Sequence, residues 1–90
     1  KELTYEVFSN HVVYDVTHLS YNGVLLENKV VSYEWKKTFP VSPGSPAYLK
    51  VVGDDTTQTI QVRIYYGNKL LFEELKTDSI CEIETNIILY

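Results

Sequence analysis

The fold is decided by one stretch in the second half of the chain, which reads Thr59-Ile60-Gln61-Val62-Arg63-Ile64-Tyr65-Tyr66-Gly67-Asn68-Lys69-Leu70-Leu71. Large apolar side chains occupy every second position from Ile60 to Tyr66. A period of two places one set of side chains on each face of a β-strand. Gly67-Asn68 then offers a two-residue hairpin link, because glycine tolerates the positive φ that such turns need. The stretch predicts a β-hairpin over residues 59–75 with its alternating apolar set in the core.

The same alternation recurs along most of the chain, and no segment keeps the spacing of an amphipathic helix. Further strands are predicted over residues 2–8, 11–21, 24–28 continuing into 30–33, 35–41, 47–52 and 80–90. Turn residues separate them, as at Asn22-Gly23 and over residues 42–46, and the last turn is placed at residues 77–79. Pro40 cannot donate a ladder hydrogen bond, so its strand is expected to lie at a sheet edge or to end there.

Ninety residues suffice for one hydrophobic core and therefore for one domain, residues 1–90. Short strands, closely spaced turn signals and the absence of helical periodicity are typical of sandwiches. The predicted fold is an all-β, Ig-like antiparallel β-sandwich of about seven to eight strands, or a related topology. A small barrel is the alternative.

The charge balance argues against nucleic-acid binding. The net charge is −4, and Lys36-Lys37 is the only adjacent basic pair, whereas a phosphate backbone requires clustered cations. No apolar stretch is long enough to cross a membrane as a helix. Because the chain opens at Lys1 and contains no methionine, we expect any signal or membrane anchor to precede this residue.

The sequence offers weak material for catalysis or metal binding. Cys81 is the only cysteine, and its position beside Ile83 predicts a buried side chain rather than a nucleophile. His11, Asp15 and His18 do not form a ligand set, because His18 has the opposite strand parity and is expected to face inward. The acidic turn at residues 54–57 is interpreted as solvated. We therefore expect a non-enzymatic domain with no catalytic residue, metal or cofactor.

Outward aromatic side chains are the better candidates for function. Aromatic platforms on a solvent face serve protein interfaces and sugar stacking. The candidate binding residues are Tyr33, Trp35, Tyr48, Arg63 and Tyr65. The alternative remains open that Trp35 fills the core and that the tyrosines only form cross-strand pairs.

The apolar tail suggests a second kind of contact. Ile87, Ile88, Leu89 and Tyr90 cannot all face one core if they lie in an extended strand. Half of them must find another partner, which is either a covering loop or a second chain. The second case predicts β-augmentation or homo-oligomerisation through the sheet edge.

Five blocks of the sequence occur in an order and spacing that point to a known family. They are Thr4-Tyr5-Glu6-Val7, Asp15-Val16-Thr17, Trp35-Lys36-Lys37-Thr38-Phe39, Pro43-Gly44 before Leu49, and residues 62–71 with Ile64-Tyr65-Tyr66-Gly67-Asn68-Lys69-Leu70-Leu71. Together they resemble the extracytoplasmic domain of the MmpS type, the small mycobacterial membrane-protein family, and related short bacterial lipoproteins. The resemblance implies a β-sandwich held outside the cytoplasmic membrane by an N-terminal helix or a lipidated cysteine.

The chain departs from that pattern at several points. Glu34 stands where a proline usually precedes the tryptophan, Gly67-Asn68 replaces Asp-Gly, and there is no cysteine pair. In mycobacteria such proteins assist lipid or siderophore export by large transporters, and the departures favour a distant lipoprotein relative. The expected function is an interaction or transport-accessory domain in a bacterial cell envelope, with a protein partner. The alternative is a small carbohydrate-binding or adhesin-like module that uses exposed tyrosine and tryptophan.

Overall fold

The computed structural model describes residues 1–90 and consists of eight strands joined by short turns. No helix of the length and apolar character that a membrane crossing needs is present. In chain order, the strands are β1 Glu2–Ser9, β2 Val13–Leu19, β3 Leu25–Val31, β4 Glu34–Pro40, β5 Pro46–Gly53, β6 Gln58–Tyr66, β7 Lys69–Asp78 and β8 Glu82–Ile88.

The strands form two four-stranded antiparallel sheets that pack as a sandwich, which confirms the predicted architecture. The first sheet has the order β4-β1-β6-β7 and the second has the order β3-β2-β5-β8. Only the β2–β3 and β6–β7 hairpins join neighbouring strands, and every other connection crosses to the opposite sheet. In the immunoglobulin order the first two strands are neighbours, whereas here β1 and β2 lie in different sheets.

The predicted β6–β7 hairpin is confirmed and is longer than expected. Tyr66 pairs with Lys69 across a two-residue turn, and Gly67 has a φ of 61° while Asn68 has a negative φ, as a type II′ turn requires. Strand β7 continues to Asp78, so the last turn predicted at residues 77–79 is wrong. The extension is paired, since the Thr77 and Thr59 hydroxyls lie 2.7 Å apart across the two strands.

The core lies between the sheets and comes mainly from alternating positions of β1, β2, β5 and β6. All the inward residues predicted for these strands are buried, including His18. Cys81 is buried as predicted; its Sγ donates to the Lys76 carbonyl at 3.4 Å, and burial raises the pKa of its thiol. The apolar core side chains are Leu3, Tyr5, Val7, Tyr14, Val16, Val30, Phe39, Ala47, Leu49, Val51, Ile60, Val62, Ile64, Tyr66, Cys81, Ile83 and Leu89.

Several strand ends differ from the prediction. Strand β2 begins at Val13 and ends at Leu19, so it is shorter at both ends, and β8 ends at Ile88. The return segment from residue 25 to residue 31 is one continuous strand. Pro40 is the last residue of β4, which is an edge strand, as the missing proline N–H predicted.

Candidate interaction surface

The third strand departs from the packing rule that the rest of the sandwich obeys. Strand β3 lies at the edge of its sheet and buries only Val30, while every residue from Tyr21 to Lys29 is exposed. Its partner β2 buries every second residue. One side of β3 is therefore hydrogen-bonded to the sheet, and the other side faces solvent along the whole strand.

The inner faces of the two sheets are incompletely covered at this edge. Leu26 and Asn28 pair with His18 and Val16, so their side chains point into the sandwich, yet both are exposed. On the opposite sheet Lys37 pairs with the buried Tyr5 and is exposed as well. We call β3, β4 and their connection the open edge, because here the space between the sheets reaches solvent.

His18 lies just inside the open edge and is 1% exposed. Its ring packs against the Tyr5 and Trp35 rings, with centroid distances of 5.6 and 5.1 Å. Neither ring nitrogen has a hydrogen-bond partner. Burial lowers the pKa of the imidazole and the charge of Lys37 lowers it further, so the ring is neutral at pH 7.

Two buried tyrosines differ in whether their hydroxyls are hydrogen-bonded. The Tyr5 hydroxyl donates to the Leu19 carbonyl at 3.2 Å and accepts from the Tyr48 backbone N–H at 3.3 Å. The Tyr14 hydroxyl is buried without a partner, and burial together with the charge of Glu34 raises the pKa of this group to about 12. Two buried side chains of β2, Tyr14 and His18, therefore have polar atoms without a hydrogen-bond partner.

Exposed apolar side chains concentrate in the same region. Six of the eleven large apolar side chains that are exposed lie in residues 21–33, so they are concentrated along β3 and its flanking turns rather than scattered over the molecule. This edge surface is defined by Tyr21, Val24, Leu25, Leu26, Val31 and Tyr33.

The predicted binding residues do not come together in one site. Arg63 and Tyr65 lie on the outer face of the first sheet, where Arg63 Nε donates to Glu73 Oε2 at 2.6 Å. Tyr48 lies on the outer face of the second sheet and its hydroxyl donates to Glu84. All three side chains are half-buried. They therefore belong to opposite surfaces of the sandwich, and each face pairs its own polar groups.

Trp35 and Tyr33 belong to the open edge. Trp35 pairs with the buried Val7, points between the sheets and packs partly buried against the core, which favours the alternative that it fills the core. Tyr33 lies in the β3–β4 connection and is 61% exposed. Its carbonyl accepts from the Ser9 N–H at 2.9 Å, which ties the connection to the end of β1.

The apolar tail divides as its alternation predicted. Leu89 is buried and Ile87 packs against the core, while Ile88 and Tyr90 are exposed. Leu89 is held in place by its N–H, which donates to the Ser45 carbonyl at 2.9 Å. Strand β8 is the second edge of its sheet, so contact with a second chain through the tail stays a prediction.

The titratable groups outside the core form pairs rather than clusters. His11 Nε2 lies 3.3 Å from Asp54 Oδ2, and the bond from the Asp55 backbone together with His11 lowers the pKa of this carboxyl. No group of three His, Cys, Asp or Glu side chains is close enough to hold a metal ion. Two shallow depressions lie beside the Gly67-Asn68 turn and beside Phe8.

Comparison with known proteins adds no relative. No protein-family model matches the sequence, and no curated protein shows significant similarity to it.

The edge surface was not found from the sequence, although a signal for it exists. Strand β3 reads Leu25-Leu26-Glu27-Asn28-Lys29-Val30-Val31, with apolar pairs at both ends and a polar centre. A strand with one buried face alternates residue by residue. The β3 sequence does not alternate. Its apolar residues occur as two adjacent pairs, so one member of each pair points to each face of this edge strand.

Proposed function

We propose that the chain is a non-enzymatic interaction domain of a bacterial cell envelope, and that it binds protein through the edge surface at β3. The observation that supports this most strongly is the concentration of exposed apolar side chains along an unpaired strand edge. Free N–H and C=O groups of an edge strand bind an added strand, and flanking apolar side chains give the contact its specificity.

The envelope location rests on the five sequence blocks that resemble the MmpS type. The same resemblance suggests a transport-accessory role for an anchored protein. An all-β sandwich with exposed strand edges suits such a role, because it can hold a partner without moving parts of its own core.

The carbohydrate-binding alternative has less support from the geometry. A sugar platform needs aromatic rings that share one exposed surface, whereas Tyr48 and Tyr65 lie on opposite outer faces. Binding to a glycan panel that is lost in Tyr65→Ala or Tyr48→Ala would favour this alternative over the protein-binding function.

The proposal is tested by cross-linking in the envelope fraction of the native bacterium. Val31 and Ile80 are both 74% exposed, and Ile80 lies in the β7–β8 turn, away from the edge surface. We expect the wild type and Ile80→Lys to form the same cross-linked protein adduct, and Val31→Lys to lose it. An adduct that is equally strong in both variants, or a protein found only in the cytoplasm, would contradict the proposal.

A further inference from the structure

We infer that the protein bound at the β3 edge is a second copy of this chain, which pairs antiparallel with β3 about a two-fold axis at Asn28. This inference rests on the proposed function, since it names the occupant of the same surface. The two second sheets would then join into one continuous eight-stranded sheet across the dimer.

The charges of β3 are self-complementary in this register. With Asn28 opposite Asn28 of the second copy, Glu27 faces Lys29 of the other chain and Lys29 faces its Glu27. Opposite charges directly across two strands stabilise the pair. Each dimer contains this contact twice, because the two-fold axis repeats it.

The apolar ends of the strand also find partners in this register. Leu26 faces Val30 on the inner side, and Leu25 faces Val31 on the outer side. Just beyond the strand ends, Val24 faces Ser32 and the exposed Tyr33 lies opposite Gly23. The pairing therefore covers the exposed apolar side chains at both ends of β3 and places the polar centre, residues 27–29, opposite the same residues of the second copy. This accounts for a β3 sequence that does not alternate between apolar and polar residues.

Other registers are disfavoured by the same charges. A two-residue slip in one direction places Glu27 opposite Glu27, and a slip in the other direction places Lys29 opposite Lys29. Like charges directly opposite each other are destabilising. A one-residue slip sets inner-face side chains against outer-face ones, so it is excluded by the pleat.

In the single chain, Lys29 already lies 3.6 Å from Asp15 on β2. Its side chain is 62% exposed, and in the dimer it lies between Asp15 and the second copy's Glu27. The pairing would thus form a row of alternating charge on the outer face, with Asp15 and Lys29 on one chain and Glu27 on the other. Such a row is stabilised further than an isolated exposed pair.

The test is a charge reversal followed by mixing, measured by sedimentation of the 90-residue chain over a concentration series. We expect the wild type to dimerise, and Glu27→Lys and Lys29→Glu each to raise the dimer dissociation constant at least about tenfold, because each reverses both ion pairs. Mixing the two variants restores opposite charges at both contacts, so we expect a heterodimer.

The outcomes separate this inference from the proposed function. A wild type that stays monomeric up to roughly millimolar concentration, or variants that dimerise as well as the wild type, would overturn the second-copy pairing. If Val31→Lys still loses its envelope adduct in that case, the interaction function stands with a different partner. Glu27 faces Thr17 and forms no ion pair, so Glu27→Lys alone keeps the test valid if Lys29→Glu does not fold.

Discussion

The two strands that flank β2 have similar apolar content and opposite surroundings. Strand β5 buries Ala47, Leu49 and Val51 between the sheets, whereas β3 buries Val30 alone. Strand β5 is hydrogen-bonded to β8 on its other side, whereas β3 has no strand on its other side. The buried apolar side chains of β5 stabilise the folded chain, whereas Leu25, Leu26 and Val31 of β3 remain exposed.

The largest contrast is expected from two leucines on these strands. Leu49 on β5 is completely buried, while Leu26 on β3 is 42% exposed. Leu49→Ala should lower the free energy of unfolding by about 2–4 kcal/mol, because it removes core contacts and leaves a cavity. Leu26→Ala should cost less than about 1 kcal/mol in the monomer.

Urea unfolding at a protein concentration that keeps the chain monomeric measures both leucine variants. Equal losses would mean that β3 contributes to the core as much as β5 does, and the contrast between the two strands would then fail.

A second contrast lies between two buried tyrosine hydroxyls, one hydrogen-bonded and one without a partner. Tyr5→Phe removes the bonds to the Leu19 carbonyl and the Tyr48 N–H, and we expect a loss of about 1–3 kcal/mol in the free energy of unfolding. Tyr14→Phe removes a hydroxyl that has no partner, so stability should stay unchanged or rise by up to about 1 kcal/mol. Chemical denaturation distinguishes the two, and a large loss from Tyr14→Phe would show that its hydroxyl is bonded.

His18 makes the open edge sensitive to acid. Its pKa is lower in the folded chain than the ordinary value of 6.5, so the unfolded state binds a proton more readily. The stability that depends on a neutral His18 is fully present above about pH 6.5 and is lost as the pH falls below this value. We expect His18→Phe to flatten this part of the pH dependence of unfolding.

The matched control for this effect is His11→Gln, which changes the other histidine outside the core. We expect this variant to lose stability below about pH 6.5 to the same extent as the wild type. If His18→Phe retains the full loss as well, the burial of a neutral imidazole is not its cause.

The smallest effects on stability should come from two exposed ion pairs. Lys50 on β5 lies 3.4 Å from Glu82, and Lys29 on β3 lies 3.6 Å from Asp15. Removing either lysine with an alanine substitution should change the free energy of unfolding by less than about 1 kcal/mol. Sedimentation should separate them, because only Lys29→Ala weakens the dimer; an equal effect of Lys50→Ala would contradict pairing through β3.

Much of this fold could be predicted from local sequence. Strands β1, β2, β5 and β6 alternate regularly, so their inward residues follow from parity, and Gly67-Asn68 fixed one hairpin. The end of β7 could not be predicted, because Thr77 and Asp78 belong to a strand only through pairing with β6. Neither the strand order nor the crossing connections have a local signal, since they depend on contacts between distant segments.

The candidate site was harder to predict than the fold. Tyr48, Arg63 and Tyr65 face outward as their parity implied, but parity does not say which sheet a strand joins. Tyr48 lies on the opposite outer face from Arg63 and Tyr65, because β5 and β6 belong to different sheets. Trp35 faces the core because it pairs with Val7, a contact between strands that are far apart in the chain.

The most direct test of the β3 pairing is a disulfide placed on its two-fold axis. Asn28 is exposed and lies opposite itself in the proposed register, and the native Cys81 is buried. Asn28→Cys should form an intermolecular disulfide rapidly under mild oxidation, because directly opposite strand positions lie within the range that a disulfide spans. Ile88→Cys on the β8 edge is the control. Pairing through β3 predicts rapid cross-linking at position 28 and slow cross-linking at position 88, and the reverse order would place the dimer contact at the apolar tail instead.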